Sequence, residues 1–341
     1  MSWFDTLNAL KMQIDESGNS QVEQDLNATT TVSPLTHLGL FDVTGPDAEK
    51  FLQGQLSCDI SSVADGTSLL GAHCNIKGSM VSLCRLMPTE NGFWLRTERS
   101  VLAQAQSNLN KYMMFSKAES KDLSQAVVGL GIQGESAENL LNTLSASIPE
   151  QVGGTTSFQN GILIRVPGNR FELWLPVSEA ETLLPTLLEQ ASLASSEQWR
   201  LAEIQNGIPT LYPQTLETFI PQMTNLQVFG GVSFSKGCYT GQEIITRLQH
   251  RGKLKRPMFR LSVAAQQAPE PGSMINTADR AGVGTVVSSA AVSEGQYELL
   301  AVMLKDSFDD NDIDLTLAEG EQLERLTLPY QLDPELFENK R

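Results

Sequence analysis

The sequence predicts an α+β protein in which a mixed helix-and-strand region precedes a smaller all-β unit. Three observations point there. Hydrophobic residues make up 40% of the 341 and charged residues 19%, the composition of a globular chain with material for more than one core. Between 35 and 252, helical apolar spacings alternate with short β-type runs. After 253 the helical spacings stop, leaving "RPMFRLSV", "GVGTVVSSA" and "YELLAVML" between Pro-Gly and acidic turns, the texture of a small barrel or sandwich.

Residues 1–34 are expected to form a flexible N-terminal extension, because "SGNSQVEQDLNATTTVSP" is polar and turn-rich, with a short helix at 3–14. Order is expected from Leu35: a strand in "LGLFDVTG", then a helix carrying Ala48, Phe51, Leu52 and Leu56. Two apolar runs around Asn91-Gly92 predict a hairpin. Leu102, Ala105, Leu109 and Tyr112 predict a helix, and "AVVGLGIQG" and "TTSFQNGILIRVPGNRFELWLP" predict strands. "SEAE" at 178–181 has capping-box spacing ahead of an apolar helix. "SSEQWRLAEIQNG" predicts another helix, stopped by Gly207 and Pro209. The expected divisions are 1–34, 35–252, 253–330 and a tail at 331–341.

With 24 Lys plus Arg against 40 Asp plus Glu, the net charge is −16, which repels a polyanion over most of the surface and argues against extended nucleic-acid binding. The first residues lack a basic end with an apolar run, and no stretch of about 18 apolar residues occurs, so the chain reads as cytoplasmic with no membrane partner. Cys58, Cys74, Cys84 and Cys238 show no C-x-x-C pair, and His37, His73 and His250 are scattered, so reduced thiols and no metal are expected. Asp310, Asp312, Asp314 and Glu321 match some positions of a calcium loop, but Leu315 stands where its Gly should be, and a solvated acidic hairpin tip is the better reading.

The chemistry concentrates in "KGCYTGQEIITR", 236–247. Gly237 and Gly241 permit tight backbone, and Ile244, Ile245 and Leu248 begin a helix. Cys238 is therefore expected just ahead of a helix N-terminus with Lys236 beside it, a setting that stabilises a thiolate. Glu243, Arg247 and Arg251 follow at four-residue spacing on one helix face. With Lys253, Lys255 and Arg256 the cations form a local basic edge suited to a carboxylate or phosphate. A buried Cys and a solvated charged face would be the ordinary reading of each alone, whereas packing has no use for all these groups in one segment.

This string closely resembles the signature of the YgfZ family, folate-binding relatives of the glycine-cleavage T-protein (aminomethyltransferase). The resemblance spans about 35–329 and includes "VTGPDAEKFLQGQLSCDI", "GAHCNIKGSM", "KYMMFSKAE" and "IPQMTNLQVFGGVSFSKGCYTGQE". It implies T-protein-like mixed α/β subdomains and a C-terminal small β-barrel around a central cavity holding folate, as tetrahydrofolate or a one-carbon derivative. It also implies support of iron-sulfur enzymes and, through them, modification of some tRNAs without direct tRNA binding. Carried over by position, Cys238 is the expected functional thiol with Lys236, Glu243 and Arg247. Trp199, Leu38, Tyr239, Gln242 and Arg251 are the expected folate-facing residues, Leu38 standing where relatives have a second Trp.

The T-protein's acidic residue after its Asn-x-Lys-Gly element is missing, since Ser82 and Leu83 stand there, and Cys238 takes what looks like an Asp position. "VPGNRFELW" offers Glu172 but no Gly-Glu-Asp-Gly. These departures argue against aminomethyl transfer and leave catalysis open. The alternative is a folate-dependent one-carbon transferase using Cys238 in place of the acid; a scaffold binding clients through the basic edge is a third reading.

Overall fold

The computed structural model describes residues 3–23, 25 and 28–338. They fall into two compact units: one of 1–51, 60–69 and 84–199, the other of 52–59, 70–83 and 200–341. The division does not follow the expected boundary at 253, because 200–252 packs in one core with strands of the C-terminal sheet: Ile204, Ile208, Phe219, Leu226 and Ile245 bury with Met258, Val287 and Leu300.

The first unit is built on a six-stranded sheet in the order Ser192–Leu193, Thr30–Pro34, Val127–Gly134, Arg170–Pro176, Gly161–Val166, Thr155–Phe158, antiparallel except for its first pair. Alternation sends Val128, Leu130, Ile132, Phe171, Leu173 and Leu175 to one face, where Leu140, Leu141, Leu183, Leu184 and Leu187 of two helices meet them. Trp3, Leu7 and Met12 lie in this core, and Thr30–Pro34 is an inner strand. Among the described residues, the supposed N-terminal extension is therefore an integral layer. Trp3 and Leu7 share one face of the helix Trp3–Ala9, a signal masked by the polar stretch after it.

The opposite face depends on two small residues. Gly129 and Gly131 leave a bare strip of strand, and indoles fill it: an added Cβ would lie 3.0 Å from the Trp174 ring and 2.5 Å from the Trp199 ring. Beside them Glu172, fully buried, accepts from Arg96 Nη2 at 2.6 Å and Trp174 Nε1 at 2.9 Å, with Arg85 Nε at 3.6 Å. Burial alone would raise that carboxyl, but Arg96 and Arg85 hold it down at about 2. In the same unit Leu38–Thr44 pairs with Gly92–Glu98, which pairs with the distal half of Met80–Thr89. The expected hairpin forms with Glu90 and Asn91 at its tip. Gly92 opens the return strand, because a Cβ there would sit 2.2 Å from Val43 O. The capping box does not form: the helix Val177–Leu187 starts one residue early behind Pro176, leaving Ser178 inside its first turn.

The second unit carries the predicted C-terminal β-structure as a nearly closed six-stranded antiparallel barrel. Its order is Met274–Ile275, Gly284–Ser293, Gln296–Met303, Met258–Ala264, Gln322–Leu326, Leu315–Thr316. Asn276 and Thr316 exchange backbone bonds of 2.9 and 3.0 Å, joining the two edge strands, so neither edge is left as a template for aggregation. Among the described residues, no helix is long and apolar enough to cross a membrane.

Replacing Glu172 by Gln should strand two buried guanidiniums and cost about 3–5 kcal/mol, read as a lowered urea midpoint. Because folding depresses this carboxyl, its stabilisation is complete above the ordinary value of 4.5 and is lost as pH falls toward about 2. The Glu172→Gln midpoint should vary less with pH across that window than the wild-type midpoint.

Candidate functional site

Residues 231–241 run without regular structure into the helix Gln242–Arg251. Gly241 caps it at φ +84, and its lack of a side chain lets the strap lie on the turn 75–78: a Cβ would sit 2.6 Å from Asn75 O and 3.2 Å from Gly78 Cα. The turn is tied by Asn75 Oδ1, which accepts from Lys77 N and Ser79 N. Ser57, fully buried, accepts from Ala72 N and donates to Gly231 O at 2.5 Å, holding the start of the strap. From the other side Gln222, also buried, donates to Ile245 O at 2.6 Å and fixes the helix.

Lys236 does not pair with Cys238 as expected. Its ammonium turns inward, donating to Leu56 O at 2.8 Å and Cys58 O at 2.7 Å, with the Tyr239 ring 5.1 Å away. Carbonyl oxygens near the ammonium offer charge-assisted bonds that a single thiol could not match, so the lysine anchors the strap. Burial lowers its pKa to about 8, while Cys58 and Asp59 oppose that shift. Beneath it Cys58 and Cys74 are buried, their thiols pushed up to about 12 by desolvation. The Tyr239 phenol is raised by burial and by both cysteines, and its Oη is buried with no partner among the described residues.

Cys238 faces the other way and is exposed, whereas Cys58, Cys74 and Cys84 are buried. It stands three residues before Gly241, the cap of the helix, just ahead of the N-terminus as the sequence implied. Glu243, Arg247 and Arg251 are exposed along that helix and, among the described residues, enter no ion pair. Gln242 is half-buried at the first helical position, its N–H on Tyr239 O.

Trp199 and Leu38 belong to the first unit, in one cluster with Leu40, Trp174 and Ile164, with 0% and 3% exposure. The Trp199 ring is packed against Gly131 and lies under the Arg170 guanidinium, 4.3 Å from its centre. Its Nε1–H is buried without an acceptor among the described residues. Ser82, fully buried, and Leu83, 6% exposed, occupy the position of the missing acid. A concavity of about 1010 Å³ at the barrel is lined by Ala265, Gln266, Glu270, Glu319 and neighbours and includes no strap residue. Sequence reading missed Ser57, Gln222 and the carbonyls of Leu56 and Cys58; "LSCD" and "IPQMTN" were the segments to weigh.

Comparison with known proteins gives a consistent picture. Residues 8–163 match the family model for the GCVT N-terminal domain. The chain is 35% identical over 311 residues to a tRNA-modifying protein YgfZ of Klebsiella pneumoniae (strain 342), covering 89% of this chain and 94% of that protein. A namesake from Photorhabdus laumondii is similar to the same extent. The crystal structure of glycine cleavage system aminomethyltransferase T from Bartonella henselae superposes with a TM-score of 0.72 at 18% identity, covering 89% of this chain and 86% of that one. It shares the fold.

Lys236 should be acylated with half-maximal reactivity near pH 8, since burial makes the amine neutral at lower pH than in free lysine. Competitive acetylation with site-resolved mass spectrometry measures this; a midpoint above about 10 would contradict the inward placement.

Proposed function

The chain belongs to the family of the tRNA-modifying protein YgfZ, and we propose that it is a folate-binding accessory protein that supports iron-sulfur enzymes and, through them, modification of some tRNAs. The observation that carries this reading is the strap at 236–241. It is anchored from inside by Lys236 while presenting Cys238, the exposed thiol among four cysteines, at its surface. An anchored strap holds a reactive group in place without the entropy cost of ordering it at each encounter.

Tetrahydrofolate or a one-carbon derivative is the proposed ligand. Within the first unit, Trp199 offers a buried indole N–H without an acceptor among the described residues, a donor that suits a pterin. Because its ring is packed against Gly131 and the Arg170 guanidinium, Trp199 would serve folate as an N–H donor rather than by stacking. The family resemblance, rather than a geometry within either unit, names Leu38, Tyr239, Gln242 and Arg251 as further folate-facing residues.

The transferase alternative is weaker, because the candidate replacements for the missing acid are open to water. Cys238 and Glu243 are both exposed, the latter on the helix surface. In the proposed role Cys238 acts with the bound folate on a client, and the net charge of −16 favours a protein client over direct contact with tRNA. Cytoplasmic action follows from the same reading.

In a strain lacking its own family member, the wild-type gene should restore thiomodified tRNA and iron-sulfur enzyme activity, while Cys238→Ala should leave both at the deletion level. Native mass spectrometry of that variant should still show one tetrahydrofolate per chain. Full restoration by Cys238→Ala would remove the thiol from the account, and absence of the folate complex in wild type would remove the ligand.

A further inference from the structure

The backbone of the strap divides in a way its side chains do not reveal. Lys236 N donates to Ser233 Oγ at 3.3 Å, Thr240 N to Gly54 O at 3.3 Å, and Gln242 N to Tyr239 O at 3.2 Å. Between them, among the described residues, no acceptor takes the N–H of Gly237, Cys238 or Tyr239. Gly237 and Cys238 are exposed, so their N–H groups are open to water or to a ligand, while Tyr239 beside them is only 6% exposed.

Gly237 sharpens the point. It does not adopt the left-handed conformation that requires glycine at Gly241, and a Cβ on it would meet nothing within 4 Å. Neither backbone strain nor packing explains a glycine here. Close approach of something outside the chain does.

We propose that the N–H groups of Gly237, Cys238 and Tyr239 form a receptor for an oxyanion, a carboxylate or phosphate, carried by the ligand that approaches Cys238. Consecutive backbone N–H groups are a recurrent way of holding such groups, and they add no net charge to desolvate. The helix Gln242–Arg251 begins just beyond and contributes the positive end of its dipole. Glu243 in its first turn and Asp59, whose carboxylate accepts from Gln53 Nε2, are the opposing charges on neighbouring segments. This rests on the reading of the strap as the functional site and adds the class of group it recognises.

Alkylation of Cys238 in the full-length protein provides the test. In each reaction the thiolate sulfur bonds to the reagent carbon as iodide leaves, so iodoacetate and iodoacetamide differ in the carboxylate alone. A chain of net charge −16 should repel iodoacetate. The receptor instead predicts saturable reaction with iodoacetate, faster than with iodoacetamide by about tenfold, the worth of one charge-assisted hydrogen bond. Glutarate and inorganic phosphate, tried separately, should compete; protection by one alone would tell a carboxylate site from a phosphate site.

Gly237→Ala should remove the iodoacetate preference while leaving the iodoacetamide rate unchanged and the melting temperature within about 2 °C. Iodoacetamide reacting as fast or faster, with no protection by either anion, would overturn the proposal, as would an undiminished preference in Gly237→Ala. These rates are independent of complementation, so a failure here is distinguishable from a failure of the accessory-protein reading.

Discussion

The ammonium of Lys236, held by the carbonyls of Leu56 and Cys58, is the contact on which the functional segment depends. Residues 231–241 have no ladder or helix of their own, so tertiary bonds must fix them. Ser57 clamps one end, the close packing of Gly241 on the turn 75–78 fixes the other, and the lysine pins the middle. Burying an ammonium is costly, and the lowered pKa measures that cost. The two carbonyls and the Tyr239 ring offset it, and Cys238 is left on the outside of a segment that cannot easily move.

The first unit solves a different problem by similar means. A sheet that buries two tryptophans against one strand needs space, which Gly129 and Gly131 provide, and polar partners, which Glu172 and Arg170 provide. Arg85, Arg96 and Glu172 form a buried ionic cluster of the kind that costs stability if any member is lost, and it sets the position of Trp174. Trp199 remains with one unanswered donor.

Much of the fold was legible in the sequence. The barrel strands follow from alternating apolar residues between turns, and the helix Gln242–Arg251 follows from the spacing of Ile244, Ile245 and Leu248. The helix at the N-terminus was legible too, but the polar residues after it obscured that Trp3, Leu7 and Met12 are core. At the site, the segment was recognisable while the direction of Lys236 was not. Its acceptors are backbone oxygens 180 and 178 residues away, and carbonyls leave no mark in a sequence. Sequence proximity to Cys238 suggested a charge pair; three-dimensional proximity to Leu56 and Cys58 decided the outcome.

If the pin is real, its removal should uncover what lies beneath it. Site-resolved alkylation of Lys236→Ala would measure this most directly, with buried Cys84 of the first unit as the control for an intact fold. Rapid modification of Cys58, with Cys84 still protected, is the predicted result. Cys58 remaining as inert as Cys84 would mean that the strap stays in place without its lysine, contradicting the account.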